Sequence, residues 1–67
     1  MIRFRSVRLN GRTATLVVEE NRLLAVIVER RGRLRMYLWP EEAKKVLGKR
    51  LAKEVRDAAT SLGLRWW

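Results

Sequence analysis

The sequence predicts an α+β domain, a four-stranded antiparallel meander followed by one long C-terminal helix. Three observations carry that reading. Turn signals recur at Asn10-Gly11, Glu20-Asn21 and Arg31-Gly32, cutting the first half of the chain into segments of strand length. Within those segments side chains alternate in polarity or, as in LLAVIV from Leu23 to Val28, run apolar in both phases. Beyond Pro40 the apolar period lengthens to that of a helix.

The first strand spans Ile2 to Leu9. Ile2 and Phe4 share one phase and Val7 and Leu9 the other, so strict alternation fails. A bulge near Ser6 reconciles them, turning Ile2, Phe4, Val7 and Leu9 inward and Arg3, Arg5 and Arg8 outward. Such a bulge implies a curved sheet. Asn10-Gly11 is a hairpin signal of the kind that favours a type I′ turn. The second strand, Arg12 to Glu20, places Ala14, Leu16 and Val18 on one face and Thr13, Thr15 and Val17 on the other. The third, Arg22 to Arg30, is apolar through its centre and reads as buried on both faces. The fourth runs from Arg33 into Trp39. Its alternation sets Leu34, Met36 and Leu38 on a core face and Arg33, Arg35, Tyr37 and Trp39 on the opposite one.

Pro40 stops this strand and opens the helix, because a proline at a helix start loses no hydrogen bond. From Glu41 to about Leu62, the residues Ala43, Val46, Leu47, Leu51, Val55, Ala58, Ala59 and Leu62 form an apolar stripe. Glu41 and Glu42 complement the helix dipole, and the pairs Glu41/Lys45 and Lys53/Asp57 have the spacing of helical ion pairs. Gly48 interrupts the stripe at a cost of about 1 kcal/mol relative to alanine and marks a bend or a close approach. Gly63 suits the position just past the helix end. The whole of 1–67 therefore reads as one domain: sheet over 1–39, helix over 40–63 and a tail over 64–67.

Composition narrows the function. Sixteen Lys+Arg against seven Asp+Glu give a net charge of +9, and twelve of the sixteen cations are arginine. Anionic partners are favoured, nucleic acid first. With no histidine or cysteine there is no base, thiol nucleophile or soft-metal ligand, and no glycine-rich phosphate loop is present. The expectation is a protein that is not an enzyme and takes no metal, cofactor or small-molecule substrate. No apolar run reaches the roughly 18 residues of a membrane span, so a soluble, cytoplasmic protein is expected. The lack of glutamine and cysteine beside abundant Glu, Arg, Val and Leu is a compositional signature of a thermophile.

The candidate nucleic-acid site is Arg3, Arg5, Arg8, Arg33 and Arg35 with Tyr37 and Trp39. Guanidinium groups fork onto phosphates, and aromatic rings stack on bases whatever the sequence. Same-face residues recur about every 6.6 Å along a strand, a spacing that could follow an extended chain of nucleotides. Glu19, Glu20 and Glu29 read as solvated hairpin residues, and the helix cations Lys44, Lys45, Lys49, Arg50, Lys53 and Arg56 as a solvated face. Trp66 and Trp67 read as packing residues, with base stacking as the alternative.

The junction Met36-Tyr37-Leu38-Trp39-Pro40-Glu41-Glu42, followed by Val46, Leu47 and Leu51, resembles the strand, proline and acidic helix start of the positive-cofactor-four family of transcriptional coactivators. The order of four strands and a helix is similar to that of this family, the plant Whirly proteins and the Pur-alpha repeats. The chain departs from the positive-cofactor-four pattern at Trp39, where a small polar residue is usual, and at Ala43, where a tryptophan is usual. The resemblance implies a dimer joined through helices and fourth strands, with curved sheets gripping single-stranded DNA.

Size argues for a partner independently. Four strands make a sheet roughly 15–20 Å across, and a helix with its side chains is about 10–12 Å thick. One helix cannot roof the sheet, so a homodimer through helix and sheet edge is expected. The function expected is sequence-tolerant binding of single-stranded DNA or RNA by sheet arginines and aromatic stacking. Two alternatives stand beside it: a sequence-specific duplex DNA binder that uses its sheet, and a non-catalytic protein–protein subunit of a replication, transcription or ribonucleoprotein assembly.

Overall fold

In the computed structural model, which describes Met1–Trp67, the chain forms β1 (Ile2–Leu9), β2 (Arg12–Glu19), β3 (Arg22–Arg30), β4 (Arg33–Leu38) and α1 (Glu41–Ser61). The strands make one antiparallel sheet in the order β1-β2-β3-β4, and α1 packs on one side of it. The α+β meander-and-helix architecture is thus the one the sequence implies. No helix is long and apolar enough to cross a membrane.

Each strand connection has two residues, and their backbones differ. Glu20 and Asn21 have φ of 49° and 64°, and Arg31 and Gly32 have φ of 51° and 77°. Left-handed conformation at both central positions is the type I′ pattern, which matches the twist of the flanking strands. At Asn10-Gly11 only Gly11 is left-handed, so the type I′ turn expected there occurs at the other two hairpins instead.

The expected bulge near Ser6 is also displaced. β1 pairs with β2 without interruption from Ile2↔Glu19 to Leu9↔Arg12. The irregularity lies between β2 and β3, where Val17 and Val18 face Ala25 and Leu23, leaving Leu24 as the extra residue. The carbonyl of Leu24 accepts a hydrogen bond from the Trp39 amide at 2.9 Å, so the bulge ties the chain just past β4 to β3.

Directly opposed residues share a sheet face. The pairs Leu16↔Val26, Ala14↔Val28, Val7↔Ala14 and Val26↔Tyr37 therefore define the face beneath α1. The core gathers these residues with Leu9, Val18, Leu23, Trp39, Ala43, Ala52, Val55, Ala59 and Leu64. The opposite face carries Phe4, Val17, Ala25 and Leu38 in one row and Ser6, Thr15, Ile27 and Met36 in the next. No element of the chain covers that second face.

Gly48 has φ 83° and ψ 169° and breaks α1 into two helical segments, the bend that its place in the stripe anticipates. The C-terminus is a Schellman motif: Leu64 N–H donates to Ala59 O (2.8 Å) and Gly63 N–H to Thr60 O (3.0 Å). The tail then returns to the sheet. Arg65 N–H donates to Asn21 O and Leu23 N–H to Arg65 O, a short parallel bridge beside β3. Trp66 packs on the core, and its indole N–H donates to the Thr60 hydroxyl, the packing role expected of it; Trp67 remains exposed. The helical ion pairs Glu41/Lys45 and Lys53/Asp57 are not made within 4.0 Å. Glu42 instead accepts from the Leu38 amide.

Candidate nucleic-acid interface

The phase of β4 is the reverse of the expected one. Tyr37 and Trp39 are 8% and 9% exposed and lie in the core, while Leu34, Met36 and Leu38 are 76%, 57% and 57% exposed on the open face. The reason is areal. Two large rings bury more surface than a leucine and a methionine, and the Trp39 indole N–H is satisfied by the Trp66 carbonyl at 2.6 Å. Trp39 is not placed to stack on a base, and Tyr37 shows only a small part of its ring, at the wall of an open cleft.

β1 follows the same logic. Val7 and Leu9 occupy the helix-covered side, and without a bulge Arg3 and Arg5 must share it, opposite Val18 and Leu16. Ile2 and Phe4 are turned to the open face, together with Arg8, opposite Thr13. The expected inward set of Ile2, Phe4, Val7 and Leu9 is thus divided between two faces, and so is the outward set of Arg3, Arg5 and Arg8.

Arginine tolerates the covered side because its stem can lie along apolar surface while its head reaches water. Arg3, Arg5, Arg33 and Arg35 are all exposed, because the helix leaves two diagonally opposite corners of the sheet free. One corner is the start of β1 and the other the start of β4. The five candidate arginines therefore do not converge: Arg3 and Arg5 sit at one corner, Arg33 and Arg35 at the other, and Arg8 on the far face.

At the β4 corner a stronger constellation forms. Arg30, Arg31, Arg33 and Arg35 line an open cleft of about 550 Å³ against the first segment of α1, with Tyr37 and Val46 as its apolar members. An adjoining cleft at the helix bend adds Arg12 and Arg50, together with Asn10 and Glu54. The first cleft has no acidic residue in its wall. In the second, the Oε1 atom of Glu54 accepts from the Asn10 amide at 2.8 Å, which pins the β1–β2 turn to the helix.

The guanidinium groups are uncommitted. The single ion pair in the protein joins the Met1 amino group to Glu19 at 4.0 Å, so no arginine has a carboxylate within that distance. Arg56 alone has an aromatic partner, lying 5.4 Å from the Trp66 ring centre. At the other corner, Arg3 and Arg5 line a smaller recess that also contains Glu20.

Sequence reasoning passed over Arg12, Arg30 and Arg31, and read Arg50 as part of a solvated helix face. The available signal was local density: four of the six residues from Arg30 to Arg35 are arginine, straddling a tight turn that crowds them together. No group of three or more His, Cys, Asp or Glu side chains is placed to hold a metal ion. Glu19 and Glu29 lie at opposite ends of the open face rather than together. No family model matches the chain, and neither a curated protein nor a solved structure matches it.

Proposed function

We propose that this chain is a sequence-tolerant nucleic-acid-binding protein that takes single-stranded DNA or RNA along the cleft between the β3–β4 hairpin and the first segment of α1. The observation that supports it is the wall of that cleft: four guanidinium groups, no carboxylate, and an apolar floor of Tyr37 and Val46. Guanidinium planes bind phosphate in a bidentate manner and also stack on unpaired bases, so they can replace the rings buried in the core. Single strands are favoured because a base must leave its partner to reach the floor between the arginines. Arg12 and Arg50 extend the phosphate track around the helix bend. No element of this binding reads base edges, which is the origin of its tolerance.

The test is anisotropy of labelled single-stranded and duplex oligonucleotides at several salt concentrations. Six phosphate contacts give a slope of log affinity on log salt near −4 for single strands, and Arg33→Ala with Arg35→Ala should flatten it by about 1.4. Unchanged affinity in that double variant, or no binding at about 50 mM salt, overturns the reading. Tighter binding to duplex would instead place the arginine-tipped β3–β4 hairpin in a major groove.

A further inference from the structure

The open face of the sheet is the feature that nucleic-acid binding leaves unexplained. Phe4, Leu34, Met36 and Leu38 are each more than half exposed there, joined by Ile2 and flanking the shielded Val17 and Ala25. A contiguous apolar patch of this kind on a small protein marks a surface that binds something. We propose that its occupant is the same face of a second copy of this chain, the two sheets packing face to face with the helices outside.

Charge selects that occupant. The charged side chains of the face are Arg8 and Arg22 on one side of the balance and Glu19 and Glu29 on the other, so the patch stays close to neutral, even with the Met1 amino group beside Glu19, on a protein of net charge +9. A polyanion has nothing to hold on a neutral apolar surface, whereas a balanced set of two cations and two anions can complement itself across a two-fold axis. The remaining arginines of the sheet point to the other side, so face-to-face contact keeps the cationic clefts of the two copies apart.

Area is consistent with this. Eight-residue strands are about 26 Å long, and four of them side by side span about 19 Å, giving roughly 500 Å² in plan per copy. The pair then buries about 1,000 Å², the lower bound for a specific interface. The helix offers little competing apolar surface, because Ala43, Ala52, Val55 and Ala59 are spent on the chain's own core and Val46 is its one exposed large apolar residue. This contact differs from the helix-and-edge dimer expected from the sequence, and it does not depend on the nucleic-acid reading.

Sedimentation equilibrium of the unmodified chain between 1 and about 100 µM reads the mass directly. The expected result is twice 7.9 kDa. Leu38→Glu and Phe4→Glu should weaken association at least 100-fold while leaving the far-UV spectrum of the monomer intact, and Trp67→Ser, on exposed apolar surface elsewhere, should leave it unchanged. Because the chain has no cysteine, a single Thr15→Cys near the centre of the face should give an intermolecular disulfide on mild oxidation, and Lys53→Cys on the helix should not. A mass of one chain throughout the range overturns the proposal. So does a dimer indifferent to both glutamate variants, or one lost in Trp67→Ser. Loss of oligonucleotide binding in Phe4→Glu with an unaltered monomeric mass would assign the face to nucleic acid instead. Arg33→Ala with Arg35→Ala leaves the mass unchanged, so the two readings fail separately.

Discussion

The indole N–H of Trp39 donates to the main-chain carbonyl of Trp66 across 27 positions of sequence, at 2.6 Å. This bond joins the end of the sheet to the end of the chain and holds the helix between them. Trp39→Phe keeps an aromatic ring but strands the carbonyl, at a cost of about 1–2 kcal/mol. For a domain of this size that lowers Tm by roughly 4–8 °C per kcal/mol, measurable by thermal circular dichroism. Trp39→Ala should cost about 3–5 kcal/mol and approach the limit of stability. Because the ring is buried, folded Trp39→Phe should bind oligonucleotides as well as the parent does. A selective loss of affinity at unchanged stability would restore the ring to the binding surface.

Glu54 has two separable effects, one on the fold and one on the cleft. Its oxygen accepts from the Asn10 amide, and its charge opposes Arg12 and Arg50 for an incoming phosphate. Glu54→Gln retains an acceptor, so stability should fall by no more than about 1 kcal/mol. Removing the negative charge should raise affinity for single strands about 2–5-fold at low salt, an advantage that fades as salt screens it. Equal affinities in a titration of the two proteins would place the ligand away from the helix bend.

Gly48 reverses the ordinary propensity argument. In a regular helix, alanine would stabilise by about 1 kcal/mol. Here the backbone sits at φ 83° and ψ 169°, a region open almost only to glycine, and an added Cβ would meet no atom within 4 Å. The cost is conformational rather than steric, so Gly48→Ala should destabilise by about 1–3 kcal/mol in urea unfolding. Stabilisation would mean that the two helical segments straighten into one.

Glu20 holds a left-handed conformation at φ 49° without the freedom of glycine or the local hydrogen bonding of asparagine. Glu20→Asn or Glu20→Gly should therefore raise stability by about 0.5–1 kcal/mol. Arg31→Asn, at φ 51° in the other type I′ turn, should behave alike in stability but lose affinity, since Arg31 lines the cleft. Thermal melts and anisotropy of the two variants together separate the roles.

Element boundaries were legible because turn residues and the change of period at Pro40 are local signals. The central strands were legible in phase as well: Ala14, Leu16 and Val18 face the helix as their alternation indicates. The edge strands were not. Both phases of β1 and of β4 hold apolar residues, and a slip of one position exchanges every side chain between faces. What decides the phase is which half of the strand the helix covers, namely Val7 and Leu9 in β1 and Tyr37 with the adjoining Trp39 in β4. That is set by how α1 lies across the sheet, a long-range fact. The arginines followed their apolar neighbours, so Arg3, Arg5, Arg33 and Arg35 lie at the corners of the covered side and Arg8 on the open face.

The near-absence of ion pairs has a thermodynamic corollary. With guanidinium groups that repel one another and answer to no carboxylate, ionic strength should act in opposite directions on the free chain and on the complex proposed above. Added salt relieves the self-repulsion of the free chain and should raise its melting temperature, while the same ions should weaken the proposed binding of a polyanion. A bound strand would then serve as the missing set of counter-ions, steadying the fold most in the dilute buffers where the bare protein is least at ease.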